Sequence, residues 1–174
     1  MNIYLIGPRG VGKSAVGSRL AEVLHRPFCD MDAELARRIG QSIHLFVQTC
    51  GWPAFRRAER TLLEELSART GWVVSTGGGV VLDEANIEQM RRSGRVVRLL
   101  ADAETLLRRL EGDPLQRDQR PSLRPGEALA DEIRQTLSAR EALYRRAMHL
   151  SIRTDHRSVE ALCIEISLRL GTTA

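Results

Sequence analysis

The chain has 174 residues, enough for one domain with a substantial core. Its formal net charge is +4, with 26 basic residues facing 22 acidic ones mixed along the chain, so no concentrated basic stripe marks a nucleic-acid partner. No apolar run approaches the ~20 residues that span a bilayer, and three widely spaced cysteines (Cys29, Cys50, Cys163) show no metal-site spacing and suit a reducing compartment. With a strand at the very start and no visible signal peptide, the expected setting is the cytoplasm.

Ile3 to Ile6 is a short apolar run that reads as a buried strand. It leads into Gly7-Pro8-Arg9-Gly10-Val11-Gly12-Lys13-Ser14, which fits the Gly-x4-Gly-Lys-Ser/Thr pattern of a phosphate-binding loop. Val16, Leu20, Val23 and Leu24 follow at helical spacing. Strand, glycine loop and helix is the order this chemistry requires. Glycines let the backbone curl so that its N–H groups face one point, and the helix N-terminus adds partial positive charge there. The backbone of Gly10, Val11, Gly12, Lys13, Ser14 and Ala15 is therefore the expected ATP phosphate cradle. Lys13 is expected to reach the β- and γ-phosphates, and the Ser14 hydroxyl to ligate Mg2+. Lys13 is also the only lysine in the chain; every other basic residue outside histidine is arginine. An ammonium and a guanidinium are not interchangeable, and lysine persists at the one position where this loop needs it.

Pro27 to Asp30 reads as a second strand, ending in Asp30-Met31-Asp32. A helix follows over 33–39, stopped by Gly40, and Ser42 caps another through Gln48. Gly51-Trp52-Pro53 breaks the chain before a long helix marked by Phe55, Ala58, Leu62 and Leu66. Trp72 to Ser75 is a third strand, running into Thr76-Gly77-Gly78-Gly79. Asp83 caps a helix to Met90, closed by Gly94; 95–100 is a fourth strand and 103–110 a helix. Residues 111–125 hold four prolines and glycines and no apolar period, the mark of a functional lid or a disordered connection. A long helix spans 127–148, a weak fifth strand 149–153, and Ser158 caps a last helix to Leu170.

Strands alternating with helices predict an α/β fold, a parallel sheet covered on both faces. Ligands in such sheets sit at the carboxyl ends of the strands. The phosphate loop, the Asp30/Asp32 pair and the triple glycine each follow a strand directly, so they should meet along one edge.

Phosphoryl transfer needs an oriented acceptor and neutralised charge. One of Asp30 and Asp32 could hold a metal-bound water and the other accept a proton from an attacking hydroxyl; the alternative is that one merely caps the next helix. Gly77-Gly78-Gly79 offers only backbone, which suits close approach of a ligand. Arg56 and Arg140, from spacing alone, are exposed arginines. Arg109 and Arg120 lie near or in the lid, where a closing arginine could neutralise transferring phosphate. Trp and Tyr positions read as packing, and Cys29 and Cys50 as small apolar fillers.

The set of segments 7–14, 28–32 (Phe-Cys-Asp-Met-Asp), 51–59 (Gly-Trp-Pro-Ala-Phe-Arg-Arg-Ala-Glu), 75–79, 120–123 (Arg-Pro-Ser-Leu) and 140–144 (Arg-Glu-Ala-Leu-Tyr) resembles the shikimate kinase family, most closely its bacterial type II form. The pieces come in the family's order and cover essentially the whole chain. The resemblance implies a three-layer α/β/α kinase with a five-stranded parallel sheet in order 2-3-1-4-5, one domain over 1–174, an acceptor-binding helical segment about 32–60 and a lid about 111–125. It implies MgATP-dependent phosphorylation of the shikimate 3-hydroxyl, a step of chorismate and aromatic amino-acid biosynthesis. Ser14 and Asp30 would serve Mg2+, Asp30 through water. Asp32 would bind the shikimate hydroxyls and act as base. Arg56 and Arg140 would clamp the carboxylate, and Gly78 would offer its backbone N–H. Lys13 and Arg120 would act on the ATP phosphates, with Arg109 and the 154–157 segment, including Arg157, near adenine. Trp52-Pro53-Ala54 stands where many members have Gly-Glu before Phe-Arg, and the lid carries Arg-Pro-Ser-Leu rather than Arg-Pro-Leu-Leu; both read as subtype variation. The competing readings are a P-loop kinase acting on gluconate or a nucleotide, and a nucleotide-dependent regulator or nucleic-acid binder. The expected partners are shikimate and ATP alone, with no nucleic acid, no membrane, and a monomer by default.

Overall fold

A computed structural model describes residues 1–112 and 128–172. Five parallel strands, β1 (Asn2–Ile6), β2 (Phe28–Asp30), β3 (Val73–Ser75), β4 (Gly94–Leu100) and β5 (Leu150–Arg153), form one sheet in the order β2-β3-β1-β4-β5. This is the 2-3-1-4-5 order that the family resemblance implied. Among the described residues, seven α-helices flank it: α1 (Lys13–Val23), α2 (Met31–Ile39), α3 (Ile43–Ser67), α4 (Glu84–Ser93), α5 (Ala103–Glu111), α6 (Leu129–Ala147) and α7 (Val159–Leu170).

The alternation of β1 explains the two layers. Ile3 and Leu5 face one side, with Val16 and Leu20 of α1 and Leu162 and Ile166 of α7. Tyr4 and Ile6 face the other, with Leu35 of α2, Leu62 and Leu63 of α3, Met90 of α4 and Tyr144 of α6. Strands buried on both faces must read as continuous apolar runs, as β1 does. Each such Leu or Ile, taken fully out of water, contributes roughly 1.5–3 kcal/mol of apolar transfer.

The predicted caps are present. The hydroxyls of Ser42 and Ser158 accept from the amides of Leu45 and Ala161, and Asp83 accepts from Ala85 N–H; such caps contribute about 1 kcal/mol each. Gly40 ends α2 in the left-handed conformation, φ 75°. Gly51 is non-helical inside α3 (φ 79°, ψ 164°), so α3 is two helical stretches across a kink rather than two separated helices, with Pro53 near the start of the second. A short 3-10 turn at Val80–Leu82 follows the triple glycine, which periodicity did not indicate. Cys50 is exposed, not a filler, because it lies on the outer face just before the kink. Arg120 and residues 113–125 of the expected lid lie outside the described residues.

Candidate active site

The phosphate loop runs from the end of β1 to the start of α1. Gly7, Gly10 and Gly12 have φ of 144°, 78° and 97°, which L side chains rarely adopt. At Gly7 there is a second demand: a β-carbon there would run into the Leu99 carbonyl of the neighbouring strand. Lys13 is only 7% exposed, and its ammonium donates to the carbonyls of Gly7 (3.0 Å) and Pro8 (2.8 Å). The cation therefore lies inside the concave face of its own loop. Ser14 and Ala15, the next two residues, are exposed at the head of α1.

Asp30 is the last residue of β2 and the N-cap of α2. Its Oδ1 accepts from the amides of Asp32 (3.0 Å) and Ala33 (3.1 Å), while its Oδ2 accepts from the Ser14 hydroxyl. The cap reading of this residue is therefore borne out, and the same carboxylate keeps its second oxygen on Ser14. Ser14 and Asp30 present hard oxygen donors side by side at the mouth of the phosphate loop. That suits Mg2+, which takes one or two protein oxygens and completes its shell with phosphate and water.

Asp32, 8% exposed, sits in the first turn of α2 and faces the triple glycine. A β-carbon at Gly77 would lie 3.0 Å from Asp32 Oδ1 and 2.6 Å from Glu59 Oε1, so two carboxylates converge on the same patch of bare backbone. Glu59 is 1% exposed; its Oε2 accepts from Arg56 Nη1 at 2.6 Å, and its Oε1 has no hydrogen-bond partner among the described residues. Burial pushes the Glu59 pKa up, Arg56 pulls it back and Asp32 adds to the rise. The Arg56 guanidinium stacks over Trp52 (5.2 Å) and Phe55 (5.3 Å), whose rings meet edge to face. Bare backbone at Gly79 lets the Arg56 guanidinium lie close, since a β-carbon there would fall 2.7 Å from Arg56 Cζ and Nη1. From the opposite wall, Arg140 of α6 donates to the Gly78 carbonyl (3.0 Å), and so does the Tyr144 hydroxyl (2.6 Å). Asp32, Trp52, Arg56, Glu59, the three glycines and Arg140 line a single cavity that reaches Pro8 and Arg9 of the phosphate loop.

Arg109 reaches from α5 to the far side of the loop. Its Nη1 donates to Thr154 Oγ1 (3.0 Å) and approaches the Gly10 and Val11 carbonyls (3.5 and 3.4 Å), while Nη2 donates to the Thr154 carbonyl (2.9 Å). It ties the phosphate loop to the segment after β5. Arg157 of that segment instead turns onto α7, pairing with Glu165 and the Ala161 carbonyl.

The profile of the shikimate kinase family matches residues 9–170 of this chain. The chain belongs to the shikimate kinase family. Shikimate kinase 2 of Salmonella typhi is 42% identical over 150 residues, covering 86% of this chain and 81% of the relative. A shikimate kinase from Acinetobacter baumannii, solved in complex with shikimate, superposes with a TM-score of 0.90 at 36% identity, covering 98% of this chain and 93% of that one. A gluconokinase from Sinorhizobium meliloti shares the fold, with a TM-score of 0.54 at 16% identity and 98% and 95% coverage. Membership therefore favours a shikimate-directed kinase, a transferase, over the gluconate- or nucleotide-directed alternatives.

Three participants were hidden from sequence reasoning. Glu59 carried no assigned role, although its spacing of three from Arg56 on one helix announces the pair. Trp52 is more than packing, since its ring supports Arg56. Tyr144 is buried as expected, but its hydroxyl belongs to the site. Only its spacing of four from Arg140 signalled that.

Proposed function

We propose that this chain transfers the γ-phosphoryl group of ATP to the 3-hydroxyl of shikimate, giving shikimate 3-phosphate and ADP, in the pathway toward chorismate and the aromatic amino acids. The observation that carries the reading is the convergence of Asp32, Arg56 and Arg140 on bare glycine backbone, in one cavity with the phosphate loop. A small hydroxylated carboxylate needs cations for its anion and an acceptor for its hydroxyls, and both are present.

The roles follow from placement. Arg56 and Arg140 clamp the substrate carboxylate from α3 and α6; a planar guanidinium matches a carboxylate with two parallel donors. The backbone N–H of Gly78 meets a hydroxyl. Asp32 takes the proton from the attacking 3-hydroxyl and, in the same act, orients it toward the phosphate loop. The amides of residues 10–15 cradle the phosphates, and Lys13 leaves its loop carbonyls for the β- and γ-phosphate oxygens. Ser14 and Asp30 would hold Mg2+, Asp30 through water, which supplies charge neutralisation on the phosphates. Arg120 closes on the phosphates from the lid, while Arg109 and the 154–157 segment border adenine, with Arg157 its least direct member. The chain reads as one kinase domain over 1–174, with about 32–60 as its acceptor-binding segment and about 111–125 as its lid.

Among the described residues no helix is long and apolar enough to cross a membrane; the cytoplasm and a monomeric state are proposed. No nucleic-acid partner is proposed, a reading supported by the pairing of surface arginines with carboxylates: Arg37 and Arg38 with Glu34, Arg38 also with Glu65, and Arg145 with Glu141.

The test is ADP release from MgATP with shikimate, gluconate and nucleoside monophosphates offered in parallel. ADP is expected with shikimate only; ADP with another acceptor would discard the carboxylate clamp. Asp32→Asn should cut turnover at least about 100-fold, the low end for loss of a general base, with ATP affinity retained. A variant turning over at near the parent rate would remove Asp32 as base.

A further inference from the structure

The Gly78 carbonyl takes two donors from one helix, Arg140 Nη1 at 3.0 Å and the Tyr144 hydroxyl at 2.6 Å. A carbonyl has two lone pairs, so it is saturated. Tyr144 is held from behind. Its side chain is 1% exposed, and the guanidinium of Arg98, itself 7% exposed on β4, stacks 5.2 Å over its ring. Arg98 in turn grips Glu141, one residue from Arg140, through two bonds of 3.1 and 2.5 Å. A buried arginine on the sheet thus fixes the angular position of α6 at the residues that touch the triple glycine.

This arrangement matters because three successive glycines have no side chains to set their orientation. It matters also because Arg140 cannot serve the Gly78 carbonyl and a substrate carboxylate with the same N–H. We propose that Tyr144 is a positioning residue for the acceptor. Its hydroxyl keeps the Gly78 carbonyl satisfied when Arg140 turns to the substrate carboxylate, and it holds the 77–79 backbone in its ligand-facing orientation. The proposal rests on the clamp role of Arg140 given above. In a Tyr144→Phe variant, Arg140 is left as the sole donor to that carbonyl among the described residues, and any turn of its Nη1 toward the substrate carboxylate leaves the carbonyl bare.

The experiment is Tyr144→Phe, which keeps the ring beneath Arg98 and removes only the hydroxyl. The KM for shikimate should rise about tenfold, with a much smaller fall in kcat and an unaltered KM for ATP. Amide hydrogen exchange across residues 76–82 should quicken about tenfold, while the amides of β1 stay as in the parent. A role in stability alone would leave the KM for shikimate in place and speed exchange throughout, and that result overturns the proposal. If the parent enzyme does not use shikimate, the substrate reading fails, and the exchange comparison still decides: unaltered exchange at 76–82 refutes the positioning role.

Discussion

Gly79→Ala is a substitution that should spare the fold and strike the substrate clamp. Gly79 has φ −103° and ψ 4°, a conformation open to alanine, so no backbone strain is introduced. The new methyl would lie 2.7 Å from Arg56 Cζ and Nη1 and closer still to Nη2. Carbon needs about 3.5 Å to such neighbours, so the guanidinium must retreat by roughly an ångström. It can do so, being the end of a flexible side chain, but it then leaves its bond to Glu59 and its place over Trp52 and Phe55. A charge-assisted hydrogen bond contributes about 1.5–3 kcal/mol. At 1.4 kcal/mol per decade, the KM for shikimate should rise about 10–100-fold, with the KM for ATP unmoved as the internal control. Steady-state ADP release reads both constants. The logic closes with a double-mutant cycle against Arg56→Ala: once Arg56 is gone, alanine at 79 should add almost nothing. A Gly79→Ala enzyme with an unaltered KM for shikimate, or one whose defect persists undiminished in the Arg56→Ala background, would refute the reasoning.

Gly7→Ala should act on stability instead. The position combines φ 144° with a carbonyl of Leu99 where the β-carbon would go, and neither is a flexible side chain. A loss of at least about 3 kcal/mol, the upper end of what single substitutions ordinarily cost, is expected in urea unfolding; a midpoint close to the parent's would show that the loop can shift. His149 gives a pH dependence. Its Nδ1 accepts from Val96 N–H at 3.0 Å, and burial, followed by Arg91 and Arg95, holds its pKa below the ordinary histidine value. The unfolded chain therefore binds the proton more readily. The contribution is complete above about pH 6.5 and is lost as pH falls toward the lower folded value. His149→Gln should show a flatter stability profile between about pH 7 and 5 than the parent; identical profiles would remove His149 from that slope.

The sequence made the phosphate loop, the strand ends and the caps legible because each depends on a few neighbouring residues. Ser42, Asp83 and Ser158 cap where their positions said they would. What it left obscure depends on burial and on partners far along the chain. Asp30 could be read as a cap or as a metal residue, and only tertiary packing shows that the capping carboxylate also meets the Ser14 hydroxyl. Arg56 and Arg140 looked like exposed arginines until α3 and α6 brought them to the same glycines. The depth of Glu59 and the hydroxyl contact of Tyr144, 66 residues from Gly78, follow from tertiary packing that no local pattern encodes. The kink at Gly51 lay between: glycine and proline announced a disruption, but not that helix would resume at once beyond it.

Asp30 carries a consequence for how lesions in this enzyme should be interpreted. Its carboxylate is a tie-bar between two helices that enter from different loops, gripping the head of α1 through Ser14 and the head of α2 through the amides of Asp32 and Ala33. Cutting it would loosen the gauge that separates the phosphate cradle from Asp32. Nucleotide, cation and acceptor defects would then arrive together from one substitution. An inactive Asp30 variant is therefore no measure of metal affinity alone. Ser14→Ala cuts the same tie at α1 but leaves the α2 cap whole, so what an Asp30 variant loses beyond it reports the cap.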